Sequence, residues 1–155
     1  MSFRISALPV EPFAPLFSMN DAQLREHRAV RRTVDASPGY PCRVSLVDAA
    51  IGESVILVHF EHQPADTPYR ASHAIFVRES AVQARPEAGE IPEVLRRRLL
   101  SVRAFDAADM LLAADVVDGR ELESAIERLF SDTRAHYLHL HNAKPGCYAA
   151  RVDRR

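Results

Sequence analysis

The segment between residues 110 and 152 constrains the fold of this chain more than any other part. Its centre carries an apolar stripe at helical spacing, made of Leu122, Ala125, Ile126, Leu129 and Phe130. Asp118, with Glu121 three residues later, predicts the capped start of that helix. The preceding run, residues 110–117, is apolar on both faces except at Asp115 and predicts a strand that is buried on both sides.

Two more segments complete a C-terminal β-α-β unit that ends in a hairpin. Residues 136–141 follow the helix at the distance expected of the second strand of a crossover. Residues 142–146 supply turn residues, and residues 147–152 alternate and return as the partner strand. With that loop, residues paired across the hairpin share a face, and the expected pairs are His141 with Cys147, His139 with Ala149, and Tyr137 with Arg151.

The first half of the chain begins with short elements and continues as a meander. Residues 3–8 alternate like a strand, and the prolines that follow predict an extended strap: Pro9, Pro12 and Pro15. Asn20 and Gln23 form a capping-box pattern, which predicts a helix over residues 22–31. Three β-rich runs then predict an antiparallel meander with a long connection at residues 62–72, namely residues 42–47, 55–61 and 73–79.

Composition fits one soluble domain and argues against several classes of partner. The chain has 155 residues, 47% hydrophobic and 26% charged, which predicts a single α+β domain over residues 1–155 with a mainly antiparallel sheet. A net charge of -1 offers no field that attracts nucleic acid or an anionic membrane. No apolar stretch resembles a signal peptide or a membrane span. We therefore expect a cytoplasmic protein whose two cysteines are free thiols, with neither nucleic acid nor membrane as partner.

The predicted hairpin offers one candidate for nucleophilic chemistry. If His141 and Cys147 share a face, the imidazole can act as the base that converts the Cys147 thiol to a thiolate. The alternative is structural: Cys147 is a small buried hydrophobe, and His141 is bonded to the backbone of the turn. A bulge of one residue would separate the pair, so the hypothesis depends on the register.

A second candidate site lies at the end of the long connection. Tyr69, Arg70 and His73 place a phenol, a guanidinium and an imidazole at the entry to a strand, which suits a carboxylate or phosphate. Arg70 would supply a bidentate fork and His73 a general acid. Other residues expected to contact this anionic ligand are Arg43, Cys42 and Asn142. The alternative is that Arg70 and Tyr69 pin the loop through backbone carbonyls.

A metal site is a third hypothesis. His139 and His141, two apart on a strand, project from one face about 7 Å apart and can share one metal ion. A third ligand would have to come from the meander, where the candidates are His59, Glu61, His62 and His73. No nucleotide-binding glycine loop, nucleophile elbow or Cys-x-x-Cys motif is present, so the sequence identifies no cofactor.

Three segments together resemble bacterial domain-of-unknown-function family 1203. They are residues 41–46 (PCRVSL), 69–78 (YRASHAIFVR) and 141–148 (HNAKPGCY). Phe3, Arg4 and Ile5 and the Asp118-Gly119 step also look like that family, so the resemblance covers nearly the whole chain. It implies a bacterial single-domain protein and transfers no activity to any residue. Its segments coincide with the candidate site residues, which favours one shared site.

The leading hypothesis is a small-molecule enzyme or binding domain in which these residues converge on a pocket for an anionic ligand. In that hypothesis Cys147 is the reactive thiol, His141 its base, and the arginines hold the anion. One alternative is a non-catalytic interaction module that binds another protein through an exposed strand edge or the apolar strap. The other is a metalloprotein that uses His139 and His141.

Overall fold

The computed structural model describes residues 2–155 and has an α+β fold with mainly antiparallel strands in two sheets. The predicted fold class is therefore confirmed. The strands are β1 Phe3–Ser6, β2 Ala29–Thr33, β3 Ser54–Gln63, β4 Ala71–Arg78, β5 Leu99–Phe105, β6 Leu111–Asp118, β7 Tyr137–Asn142 and β8 Tyr148–Arg154. The α-helices are α1 Asp21–Glu26, α2 Glu93–Arg96 and α3 Leu122–Phe130.

The described chain divides into two compact units. The first unit comprises residues 2–6, 61–71 and 85–155, and the second unit comprises Ala7–Phe60 and Ser72–Ala84. The last residues of β3, from Glu61 to Gln63, therefore belong to the first unit. No helix among the described residues is long and apolar enough to cross a membrane.

The first unit is built on a five-stranded sheet in the order β1-β8-β7-β5-β6. Each neighbouring pair is antiparallel, so β6 and β7, which both flank β5, run in the same direction. The connection from β6 through α3 to β7 is thus the predicted crossover. Strand β5, which lies between β6 and β7, is not predicted from the sequence. Helix α3 packs on β5 and β6 and buries most of its stripe, namely Leu122, Ala125, Ile126 and Phe130.

Strand β6 differs from the prediction of a strand buried on both sides. It is an edge strand that pairs only with β5, and its central residues are exposed. Val116 is 56% exposed, and Asp115 forms an ion pair with Arg128 of α3. An apolar run cannot by itself distinguish a central strand from an edge strand, because that depends on which strands pair with it.

Asp118 begins the α3 region through a short 3-10 helix. Its carboxylate accepts from the Arg120 backbone N–H, as expected of a cap. Gly119 follows, and a Cβ there would collide with the Leu95 carbonyl oxygen. Only glycine permits this close approach between the 3-10 helix and α2.

The second unit contains the three-stranded sheet β2-β3-β4. The capping box of Asn20 and Gln23 is present, but α1 ends at Glu26 and the chain continues as β2. The strand predicted over residues 42–47 is wrong, because the segment is a turn flanked by isolated bridges, with Leu46 at a φ of 52°. Strand β2 takes its place in the meander.

The proline-rich segment is not a plain extended strap. A 3-10 helix forms over Ala14–Ser18, with a proline in its first turn, where the missing N–H is tolerated. Phe13 and Leu16 are buried in the core of the second unit, together with Leu24, Ile56 and Ile75. The segment therefore contributes to the core.

The C-terminal hairpin forms as predicted, but in a different register. His139 pairs with Arg151 and His141 with Tyr148, and a β-bulge lies between Leu140 and His141. The predicted pairs of His139 with Ala149 and of His141 with Cys147 are therefore wrong. Cys147 precedes β8 and its carbonyl accepts the Asn142 N–H, so the loop extends one residue further than the turn residues indicate.

Candidate functional site

One face of the five-stranded sheet in the first unit is lined by polar and aromatic side chains. Antiparallel partners share a face, and the register places Arg103 of β5, His139 of β7 and Arg151 of β8 in one row. Leu138 and Leu140 therefore lie on the opposite face. We call this surface the histidine face and define it by Ser101, Arg103, Tyr137, His139, His141, Tyr148 and Arg151.

His62, from the end of β3, joins the histidine face. Its ring is stacked on Tyr148, with centroids 5.4 Å apart and an interplanar angle of 15°. It meets the His141 ring edge-on at 4.9 Å and lies 6.2 Å from the His139 ring. The imidazole of His62 thus lies beside the two imidazoles of β7, from which it is distant in sequence.

A contact of His141 with the hairpin loop shows that its Nδ1 carries a proton. The side chain is 2% exposed, and its Nδ1 lies 2.9 Å from the Gly146 carbonyl oxygen. A carbonyl only accepts, so Nδ1 of His141 carries a proton and donates it to Gly146. The bond of His141 to the turn backbone, which the structural alternative predicts, is present.

Cys147 and Asn142 lie together at the end of the hairpin loop. Cys147 is 7% exposed, and the Asn142 side-chain amide donates to its Sγ at 3.5 Å. The Oδ1 of Asn142 is buried and has no hydrogen-bond partner among the described residues. The corrected register removes the geometric reason for pairing Cys147 with His141, and its role as a nucleophile stays a prediction.

His139 is buried in surroundings that keep it neutral. It is 4% exposed, and its Nδ1 has no hydrogen-bond partner in the described part of the chain. Burial, followed by the charges of His141, His62, Arg151 and Arg103, lowers the pKa of His139 to about 3. A neutral imidazole with an unsatisfied buried nitrogen is costly for stability.

The two arginines of the histidine face differ in their partners. Arg151 pairs with Asp153 and lies 3.9 Å above the Tyr137 ring. Arg103 donates from Nε to Ser101 Oγ at 3.1 Å and, among residues 2–155, has no carboxylate partner. Burial lowers the pKa of Arg103. Its positive charge is therefore partly desolvated and not neutralised.

Tyr137 fastens the segment of residues 61–71 to β7. Its hydroxyl accepts from Gln63 Nε2 at 2.7 Å and donates to Asp109 Oδ1 at 2.8 Å. Its ring is stacked on Phe105, with centroids 5.3 Å apart. Burial raises the pKa of Tyr137 to about 12. This contact helps to hold the segment that carries His62.

The predicted anion-binding residues of the long connection have other contacts. Arg70 forms an ion pair with Glu61 at 3.0 Å, so its charge is already neutralised. Tyr69 meets the ring edge of Phe105 with centroids 6.1 Å apart. The predicted contacts of Arg70 and Tyr69 with backbone carbonyls are not the ones that these side chains make here. Arg103 and His139 were not among the residues expected to hold the anion.

The remaining predicted site residues belong to the second unit. The Cys42 thiol is buried and accepts the backbone N–H groups of Ser45 and Arg78. Arg43 is also buried and donates to the Pro41 carbonyl. The Nδ1 of His73 lies 2.8 Å from the Ala74 carbonyl oxygen. The predicted site residues are thus divided between the two units. Those in the first unit are Tyr69, Arg70, His141, Asn142 and Cys147.

The histidines also bear on the metal hypothesis. His139 and His141 do share a face, with ring centroids 6.5 Å apart, and His62 lies beside both. Across residues 2–155, however, no group of three or more histidine, cysteine, aspartate and glutamate side chains is arranged to hold a metal ion.

Comparison with protein families identifies the chain. Residues 39–154 match the family described as "Protein of unknown function (DUF1203)". The chain belongs to the DUF1203 family. No curated protein and no solved structure matches it.

The DUF1203 match covers the whole candidate site. It includes β3 to β8, and with them His62 and every residue of the histidine face. Strands β1 and β2 and helix α1 lie before its first residue. The family that the sequence resembles is confirmed, and its description assigns no activity.

Proposed function

We propose that this DUF1203 protein binds a small molecule through a carboxylate or phosphate group at the histidine face, with Arg103 as the principal contact. The observation that carries the proposal is the half-buried, partly desolvated Arg103 guanidinium, which has no carboxylate partner among the described residues. Removing part of the water from a charged group is unfavourable unless an opposite charge or hydrogen bonds replace it. A bound anion would supply the missing charge.

The chemistry of Arg103 suits an oxyanion. Its Nε already donates to Ser101, which orients the guanidinium and leaves both terminal amino groups for a ligand. Two parallel N–H donors match a carboxylate or phosphate, and each charge-assisted hydrogen bond contributes about 1.5–3 kcal/mol.

The row of paired residues places His139 next to Arg103. The two residues are partners across β5 and β7, and the charge of Arg103 contributes to the lowered pKa of His139. Neutral His139 can donate one hydrogen bond to an oxyanion from a ring nitrogen. Arg151 adds no net attraction, because Asp153 offsets its charge. We therefore locate the anion beside Arg103 and His139.

A titration followed by nuclear magnetic resonance (NMR) tests this function. Sodium sulfate, phosphate and succinate are added to the full chain at constant ionic strength, with chloride as the balancing anion. We expect saturable shifts of β5 and β7 amide resonances, and we expect Arg103→Gln to weaken binding at least about tenfold, which corresponds to about 1.4 kcal/mol.

Arg134→Gln is the matched control, because Arg134 belongs to the same unit, is exposed and is paired with Asp132. We expect it to bind the anions as the natural chain does. Equal affinity in Arg103→Gln and the natural chain, or shifts that never saturate, would contradict the proposed site.

A further inference from the structure

We infer that an anion bound at Arg103 brings a proton onto His139, so that the site takes up its ligand together with a proton and releases it as the pH rises. The inference rests on the proposed function. It adds the condition under which the ligand binds and names the group that senses this condition.

The groups that face His139 are cationic or neutral, apart from one paired carboxylate. Strand β5 contributes Arg103, and the end of β3 contributes His62. Strand β7 contributes Tyr137 and His141 on either side. Strand β8 contributes the remaining neighbours: Tyr148, Arg151 and Asp153. The Asp153 carboxylate is held by Arg151, so none of these groups compensates a charge on His139.

Without a ligand, these surroundings disfavour protonated His139. Its proton would add a buried positive charge beside an arginine that is already uncompensated. An anion at Arg103 reverses the balance, because it places a negative charge next to both groups. An opposite charge within about 4–6 Å raises the pKa of a histidine by roughly 1–3. The pKa of His139, about 3 in the free chain, would then reach the range in which proteins are assayed.

Protonation of His139 would let its second ring nitrogen donate a hydrogen bond to the ligand. The Nδ1 of His139 is buried and has no hydrogen-bond partner among the described residues. When the ring is protonated, both nitrogens donate, and a ligand oxyanion can accept from the ring while Arg103 holds its other oxygen. His141 is less suited to this role, because its Nδ1 proton is directed to the Gly146 carbonyl.

Sulfate is the appropriate probe, since it remains a dianion between pH 5 and pH 7 and cannot itself be the source of a change in protonation. Proton uptake is measured with a pH-stat as sulfate is added at pH 5 and at pH 7. The 15N resonances of the imidazoles report which ring is protonated. We expect proton uptake at pH 5 and a protonated His139 in the complex. Sulfate affinity should be higher at pH 5 than at pH 7, by about twofold if the pKa of His139 in the complex is about 5 and by about tenfold if it is about 6.

Two variants assign the effect to one residue. His139→Gln keeps a hydrogen-bonding group but cannot take up the proton. We therefore expect this variant to bind sulfate more weakly, to take up less proton on binding, and to show a smaller change of affinity with pH. His136→Gln is the control, because His136 is an exposed histidine of the same unit. We expect it to match the natural chain in affinity, pH dependence and proton uptake.

The outcomes separate this inference from the proposed function. Arg103-dependent sulfate binding without proton uptake, or with a neutral His139 ring in the complex, overturns the inference and leaves the proposed function intact. Full pH dependence in His139→Gln assigns the proton to His62 or His141 and also overturns it. Absence of Arg103-dependent binding overturns both. If His139→Gln does not fold, the 15N resonances of the natural chain decide.

Discussion

Replacing His139 with glutamine should change how the stability of the chain depends on pH. In the unfolded chain His139 has the ordinary histidine pKa of about 6.5, whereas burial and its neighbours lower the pKa to about 3 in the fold. Below pH 6.5 the unfolded chain therefore binds a proton that the folded chain does not. The folded state is destabilised as the pH falls, and the loss ends only near pH 3.

The magnitude follows from the same two pKa values. Where the unfolded chain binds one proton more than the folded chain, the free energy of unfolding changes by about 1.4 kcal/mol per pH unit. Between pH 7 and pH 5 the contribution of His139 is therefore a loss of about 2 kcal/mol. His139→Gln has no proton to bind and should not show this loss. The stability of the natural chain relative to the variant should fall by about that amount over this interval.

Urea unfolding at pH 7 and pH 5, in chloride without sulfate, measures the effect. The two units are compact separately, so both circular dichroism and the amide resonances of β7 are followed. The resonances of β7 report the unfolding of the unit that contains His139. His136→Gln is the control and should lose stability as the natural chain does. If the stability difference between the natural chain and His139→Gln changes by less than about 0.5 kcal/mol, His139 is not held neutral by the fold.

Two further changes test the surroundings of the site. Tyr137→Phe keeps the ring stacked on Phe105 but leaves the Gln63 amide without its acceptor. Urea unfolding should therefore show a free energy of unfolding that is lower by about 1–3 kcal/mol. A loss below about 0.5 kcal/mol would contradict the role of the hydroxyl. Cys42 and Cys147 are both buried, so a thiol reagent should modify them slowly in the native chain and rapidly in urea. Rapid modification of native Cys147 would instead support its predicted role as a nucleophile.

The elements that could be predicted from the sequence are those whose signal is local. The capping box at Asn20 and the stripe of α3 depend on residues three or four positions apart. The turn residues also predict the hairpin, although the bulge after Leu140 gives it a register that differs from the predicted one. Such a bulge depends on how the loop closes, and nothing in the alternation of residues 136–141 indicates it.

Elements that depend on distant partners were predicted less well. Strand β5 does alternate, with Val102 and Ala104 buried and Arg103 half-buried. This pattern is the signal in the sequence for Arg103, the proposed anion contact. Its position between β6 and β7 determines that β6 is an edge strand. Without β5, the apolar run of β6 is indistinguishable from that of a central strand.

The candidate site shows the same limit. His139 and His141 could be assigned to one face because they are two apart on a strand. The approach of His62 and the pairing of Arg103 with His139 depend on how the chain returns over the sheet, and no spacing in the sequence encodes them. Conversely, the two arginines chosen from their position near turns, Arg43 and Arg70, have partners within their own segments.

The composition of β7 argues that the histidine face is more than packing. All six residues of the strand are buried, and on the face with Leu138 and Leu140 the side chains are those that burial favours. On the other face, His139 is buried with an unsatisfied nitrogen beside an arginine whose charge is not neutralised. An apolar side chain at either position would avoid those costs. Stability therefore does not account for the pair, whereas the proposed anionic ligand would satisfy both residues at once.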